Sequence, residues 1–265
     1  VFDFFKRRRR EELRARPFDD HERAVVARAV HLWPYLDDEA RARIEADAKV
    51  FVAEKTFEGA GGLEVTDEMR LTIAAQAAML GLGREADAEL FPELETLVIY
   101  PSVFVADVKK SDGLVTIEGP EARSGESWSS GLVVLAWDEV AHDVRSLHGG
   151  HNVVLHELAH QLDAEDGAVD GAPELGSRKR YVAWAHVLGE EYQALGKRLH
   201  AGLRTDIDPY AATSPAEFFA VTTEAFFERS RALAARHPEL YAELCAFYRV
   251  DPAALYASGK RDEHE

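Results

Sequence analysis

The chain has 265 residues, 46% hydrophobic and 30% charged, with a formal net charge of −17. That length and composition suit a globular protein with a substantial core, and the acidic balance argues against direct binding of nucleic acid, which needs a basic field. Cys245 is the single cysteine, which excludes an internal disulfide and fits a cytoplasmic setting. No apolar run approaches the ~18 residues of a stable membrane span.

Residues 1–20 read as a basic N-terminal arm. Lys6-Arg-Arg-Arg-Arg10 is followed by Glu11, Glu12 and Pro17, a pattern of a solvated helix or tail with at most weak attraction to anionic lipid. Residues 21–95 read as a helical part. His21–Trp33 forms one helix that stops at Pro34. Asp37-Asp-Glu39 supplies first-turn acids to a second helix, in which Ile44, Ala48, Phe51 and Val52 repeat on one side through to Lys55. Gly59-Ala-Gly-Gly62 breaks the chain, and Thr66-Asp-Glu-Met69 opens a third helix, lined by Ile73, Ala77 and Leu80 and closed by Gly81 and Gly83.

Residues 96–265 read as the catalytic part, forming one compact unit with 21–95. It begins in β texture: Thr96–Tyr100, Val103–Val108, Gly113–Gly119 and Gly131–Trp137 are strand candidates around a Gly/Ser/Pro-containing loop at 119–131. A sheet at this place could pair with an extended peptide by strand addition. Gly149-Gly150 then leads to Asn152-Val-Val-Leu-His-Glu-Leu-Ala-His-Gln-Leu162, with Asn152 or His151 at the helix cap. On a helix, Val154, Leu155, Leu158, Ala159 and Leu162 share an apolar face, while His156 and His160 pair on the other side at i, i+4. Two neutral imidazoles at this spacing can hold a Zn²⁺ ion, and Glu157 projects beside them as a base toward water: the H-E-x-x-H arrangement of zinc peptidases. His148 and His151 precede the helix and point elsewhere. Asp163 lies on the histidine stripe, but about 10 Å of rise separates its end from His156, so it is expected either to stand behind the metal ligands or to close the following Gly-punctuated acidic loop.

Arg178–Leu203 reads as a long helix carrying Trp184 and Tyr192, with His186 at an interface. Ser214-Pro215-Ala216-Glu217 has the Ser N-cap, Pro N1 and Glu N3 of a helix start. The helix that follows, to about Arg229, is apolar nearly all round and so is expected to be buried. Its polar stripe holds Glu217, Glu224 and Glu228 within about 40° of one another, since seven residues make almost two full turns. A catalytic zinc needs a third protein ligand; Glu217 and Glu224 both qualify, and spacing does not choose between them. Arg236–Val250 reads as the final helix, before a loose tail after Gly259.

Several segments resemble the family of Mlc titration factor A, bacterial zinc-dependent peptidases whose fold is related to the catalytic domain of anthrax lethal factor. They are Glu54-Lys-Thr-Phe-Glu-Gly59, Leu97-Val-Ile-Tyr-Pro101, Ser124-Gly-Glu-Ser-Trp128, His156-Glu-Leu-Ala-His-Gln-Leu-Asp163 and Asp208-Pro-Tyr-Ala-Ala-Thr-Ser-Pro-Ala-Glu-Phe-Phe-Ala-Val221. The resemblance implies an α+β, mostly helical zincin of the gluzincin type with a small sheet. It implies one Zn²⁺ on His156, His160 and Glu217, Glu157 as catalytic base, Tyr210 as hydrogen-bond donor to the oxyanion, and aminopeptidase-like action on peptide substrates. In some relatives a histidine that can cap the metal stands where this chain has Thr116, so a fourth, autoinhibiting ligand is not expected. The family name also implies another role, sequestering a transcriptional repressor of sugar-uptake genes, with the zinc site secondary or regulatory.

Overall fold

A computed structural model of the chain describes residues 2–85, 88–102, 131–146 and 149–258. Two expected strands, Val103–Val108 and Gly113–Gly119, lie outside these residues, as do Ser124–Trp128, Thr116, His148 and the tail after Gly259. The described part is mostly helical, with a three-stranded sheet. Helix α1 (Phe2–Ala15) is followed by α2 (Asp20–Ala29), α3 (Asp38–Glu54), β1 (Thr56–Gly59) and α4 (Asp67–Leu80). Next come β2 (Thr96–Tyr100), β3 (Leu132–Ala136), α5 (Trp137–Arg145) and α6 (Val153–Asp163). The chain ends in α7 (Arg178–His200), α8 (Pro215–Glu228), α9 (Ser230–Arg236), α10 (Pro238–Tyr248) and α11 (Pro252–Ser258).

The helix starts follow their caps. Asp19, Asp37, Thr66, Asn152, Ser177 and Ser214 each accept a backbone N–H of the first turn, which satisfies donors that the helix itself leaves orphaned. Helix α4 is buried at every position from Leu71 to Leu80, as its lack of a polar face requires. It packs against α2, α3 and the motif helix α6.

The three strands run parallel in the order β1-β2-β3, with Thr56 opposite Thr96 and Thr96 opposite Leu132. Leu97, Ile99, Val133 and Leu135 turn into the core, the period-2 alternation of a half-buried sheet. Their apolar side continues into Leu155, Leu158, Phe218 and Phe219 as one hydrophobic cluster. The site therefore stands on the body of the protein.

Several boundaries depart from expectation for physical reasons. Helix α2 ends at Ala29, and Trp33–Tyr35 is a short 3-10 turn around Pro34; His31 leaves the helix and is buried. Strand β3 stops at Ala136 because Trp137 opens α5, whose first turn holds Asp138 and Glu139. The helix expected over Arg236–Val250 is present as α10, but it is not the last one: Pro252 begins a further helix, just as Pro238 begins α10, the position where a missing N–H costs least. His186 is largely exposed on this chain and pairs with Glu190 at 3.2 Å. In the basic run, Arg10 turns inward and makes a bidentate pair with Glu54, both contacts 2.7 Å, while Arg14 reaches the buried Asp47. That run is thereby joined to α3.

Candidate metal centre

Helix α6 enters the core with its first turn held by side-chain oxygens, two of them from acids. Asn152 Oδ1 accepts from Leu155 N at 3.1 Å, Asp143 Oδ2 from Val153 N at 2.9 Å, and Glu224 Oε2 from Asn152 N at 2.6 Å. Negative charge at a helix N-terminus is stabilised by the exposed N–H groups and the helix dipole. The apolar face, Val154, Leu155, Leu158, Ala159 and Leu162, is buried. His156 and His160 leave the opposite side as an edge-to-face pair with ring centroids 4.9 Å apart.

Helix α8 brings Glu217 to them. Its N-terminus is located by a close backbone approach: Gly171 has φ +81°, and a Cβ there would lie 2.4 Å from Pro215 O. Only glycine tolerates that proximity in that conformation. Ser214 caps the helix by accepting from Glu217 N at 3.2 Å, and the Glu217 carboxylate is aimed at the imidazoles. Glu217 Oε2 lies 3.0 Å from His156 Nε2 and 3.5 Å from His160 Nε2, and the two Nε2 atoms are 3.2 Å apart.

These separations answer whether an ion fits. Ligands at 2.0–2.1 Å from a tetrahedral centre stand about 3.3–3.4 Å from one another, close to the three distances found. His156, His160 and Glu217 form the one group of three such side chains among the described residues that could hold a metal ion. Glu217 Oε2 is buried and faces the two imidazole nitrogens, a place where its charge is costly unless a positive charge between them compensates it.

The electrostatics agree. Burial works to lower the His156 pKa, but the carboxylates of Glu217 and Glu224 beside its two ring nitrogens outweigh this and raise it. Burial lowers His160 against the pull of Glu217, and the neighbouring His156 charge adds to the lowering. Burial works to raise Glu217, yet the two histidines bring it below the usual carboxylate range.

The two glutamates left equivalent by spacing are separated by structure. Glu217 meets the Nε2 side of His156, and Glu224 Oε1 meets its Nδ1 at 2.8 Å. Glu157 is partly buried on the same helix, and its charge acts on His156. Tyr210 sits on the 3-10 turn Pro209–Ala212, 39% exposed, with its ring centroid 6.1 Å from that of His156. The turn is closed by Asp208 Oδ1, which accepts from Tyr210 N at 2.9 Å. All five residues singled out in the sequence therefore belong to one neighbourhood. His151 stands outside the donor set and faces Asp143 and Glu224. The sequence reading missed His31, whose Nδ1 lies 2.5 Å from Glu228 Oε2, and Asp143, in a stretch assigned no element. A histidine just before Pro34 was their only local signal.

Asp163 closes the acidic loop, as its place in the sequence suggested: Oδ2 accepts from Gly171 N at 2.8 Å, and Oδ1 is buried without a partner. Burial raises its pKa to about 7, against the opposing effect of the Gly171 N–H. A carboxyl raised from 3.8 to about 7 makes the folded state bind more protons than the unfolded one across that interval. Its favourable contribution is present below pH ~4 and is lost as pH rises through about 7. Urea unfolding of chelator-treated protein should therefore show a smaller decline in stability between pH 5 and 7.5 for Asp163→Asn than for the parent chain. Identical slopes would refute it.

Known proteins point the same way. The glucose-regulated metallo-peptidase M90 family matches residues 4–249. An uncharacterized protein of Synechocystis sp. is 41% identical over 246 residues, 92% of this chain and 89% of that protein. Mlc titration factor A of Serratia proteamaculans is 35% identical over 233 residues, 86% of this chain and 87% of its own length. The Yersinia pestis protein of that name is 33% identical over 223 residues, covering 83% and 81%. With a family match over nearly the whole chain and a compatible donor set at its centre, the chain belongs to the M90 metallopeptidases, the family of Mlc titration factor A.

Proposed function

We propose that the protein is a zinc-dependent peptidase with aminopeptidase-like action, built as a zincin of the gluzincin type. The observation that carries this reading is the convergence of His156 Nε2, His160 Nε2 and Glu217 Oε2 beside Glu157. Two imidazoles and one carboxylate are the donor set of a catalytic zinc, and a structural site would not need Glu157. A zinc ion held there supplies Lewis acidity, polarising a carbonyl and making water more acidic. Glu157 takes the proton of the attacking water and returns it to the departing amine. Tyr210 donates a hydrogen bond to the carbonyl oxygen as it gains negative charge. Its partial exposure leaves the ring accessible to a substrate.

Zinc-loaded protein should hydrolyse members of a panel of aminoacyl anilides and short peptides, lose that activity with a chelator and regain it with Zn²⁺. In Glu217→Ala, metal retained after dialysis should fall from about one equivalent per chain toward none, because a three-ligand site becomes a two-ligand one. Turnover that persists without metal would refute the reading. The names of the Serratia and Yersinia relatives favour a second role, binding of an Mlc-type repressor. Co-purification with such a repressor, undiminished in Glu217→Ala, would separate that role from peptidase chemistry.

A further inference from the structure

We propose that Glu224 is a positioning residue for His156: it holds the Nδ1 proton so that Nε2 keeps its lone pair toward Glu217 and His160, and it is braced in turn by Asn152, Glu228 and His31. This rests on the metal-site reading above and concerns how the site is kept in register.

A neutral imidazole carries one proton on one of two nitrogens, and the partner of each nitrogen decides which. Glu224 Oε1 lies 2.8 Å from His156 Nδ1, so a proton there makes a charge-assisted hydrogen bond. Nε2 is then the acceptor nitrogen, on the side where Glu217 Oε2 stands at 3.0 Å. Glu224 is only 2% exposed, and a buried carboxylate left mobile would not discriminate between ring orientations. Its second oxygen is fastened to Asn152 N at 2.6 Å, at the N-terminus of the same helix that carries His156.

Asn152 carries the brace further. Its side-chain amide donates to Glu228 Oε1 at 3.0 Å, and Glu228 Oε2 lies 2.5 Å from His31 Nδ1. His31 Nε2 lies 3.2 Å from Val144 O, so both ring nitrogens face acceptors and His31 acts as a double donor. The acidic stripe of α8 thus has three separate uses: Glu217 faces the centre, Glu224 holds the ring behind it, and Glu228 holds the residue that anchors Glu224. Partners of this kind behind a metal-binding histidine are typically worth 10–100-fold in metal affinity.

The test compares Glu224→Gln, Glu224→Ala and Glu217→Ala in three measurements: Zn²⁺ affinity by chelator competition, unfolding of the metal-free protein, and the visible spectrum of the Co²⁺-loaded protein. Glu224→Gln, which keeps one of the two acceptors, should weaken Zn²⁺ binding by about 10-fold or more, a larger loss than any fall in metal-free stability accounts for, with an altered Co²⁺ spectrum. Glu224→Ala, which removes the acceptor altogether, should bind more weakly still. An unchanged affinity in Glu224→Gln, with metal lost from Glu217→Ala, sinks the inference and leaves the ligand assignment standing. So does an affinity loss matched by an equal loss of metal-free stability with the parent Co²⁺ spectrum. Parent-like binding in Glu217→Ala, or no Zn²⁺ binding by the parent chain, would remove the ligand assignment and the inference together.

Discussion

Glu157→Gln is expected to lower kcat/KM by about 10²–10⁴-fold, the range in which a positioned proton-transfer group contributes, without changing Zn²⁺ affinity. The replacement keeps the volume and position of the side chain but removes its ability to accept a proton. Glu157 is not among the converging donors His156, His160 and Glu217, so the metal site should remain whole. Two independent readouts therefore make the prediction sharp: titration with Zn²⁺ should match the parent, and turnover of a peptide substrate should be nearly lost. Equal turnover would remove Glu157 from the chemistry; a parallel loss of metal would make it a structural neighbour of the site.

Trp184→Ala should be among the most destabilising single changes, at about 3–5 kcal/mol. The indole is 2% exposed, its ring meets Phe219 and Phe247 with centroids 5.6 and 5.5 Å away, and Nε1 donates to Gly171 O at 2.8 Å. Truncation opens a large cavity between α7, α8 and α10 and leaves the Gly171 carbonyl without this donor. For a chain of this length each kcal/mol lowers the midpoint by about 2–4 °C, so thermal unfolding should move down by roughly 6–20 °C. Trp184→Phe should keep much of the packing and lose mainly the hydrogen bond. A fall below about 1 kcal/mol in Trp184→Ala would show that the cavity collapses.

The motif helix was legible because its information is local. Apolar residues at Val154, Leu155, Leu158 and Leu162 choose the face, and His156 and His160 fall opposite without reference to the rest of the chain. The start of α8 was legible for the same reason, since Ser214, Pro215 and Glu217 make a helix N-terminus by short-range bonding alone. The choice between Glu217 and Glu224 was not, because two residues seven apart on one helix share a direction. What distinguishes them is which nitrogen of His156 each one meets, and that is set by how α6 and α8 pack. Strand β1 escaped notice because its four residues bury only Phe57, too short an alternation to register. Trp137 was read into a strand because the apolar run before it continues through it; the acids that start α5 come after.

The bond between His31 and Glu228 joins residues 197 positions apart. During synthesis, the chain cannot close this contact until Glu228 has emerged, by which time every other residue of the site is already present. The motif helix is complete some sixty residues earlier, but its first turn then lacks both Glu224 and Glu228. Assembly of the centre is therefore a late event, set by closure of a long loop rather than by local helix formation. A nascent chain halted before α8 carries the two histidines without the residues that orient and complete them.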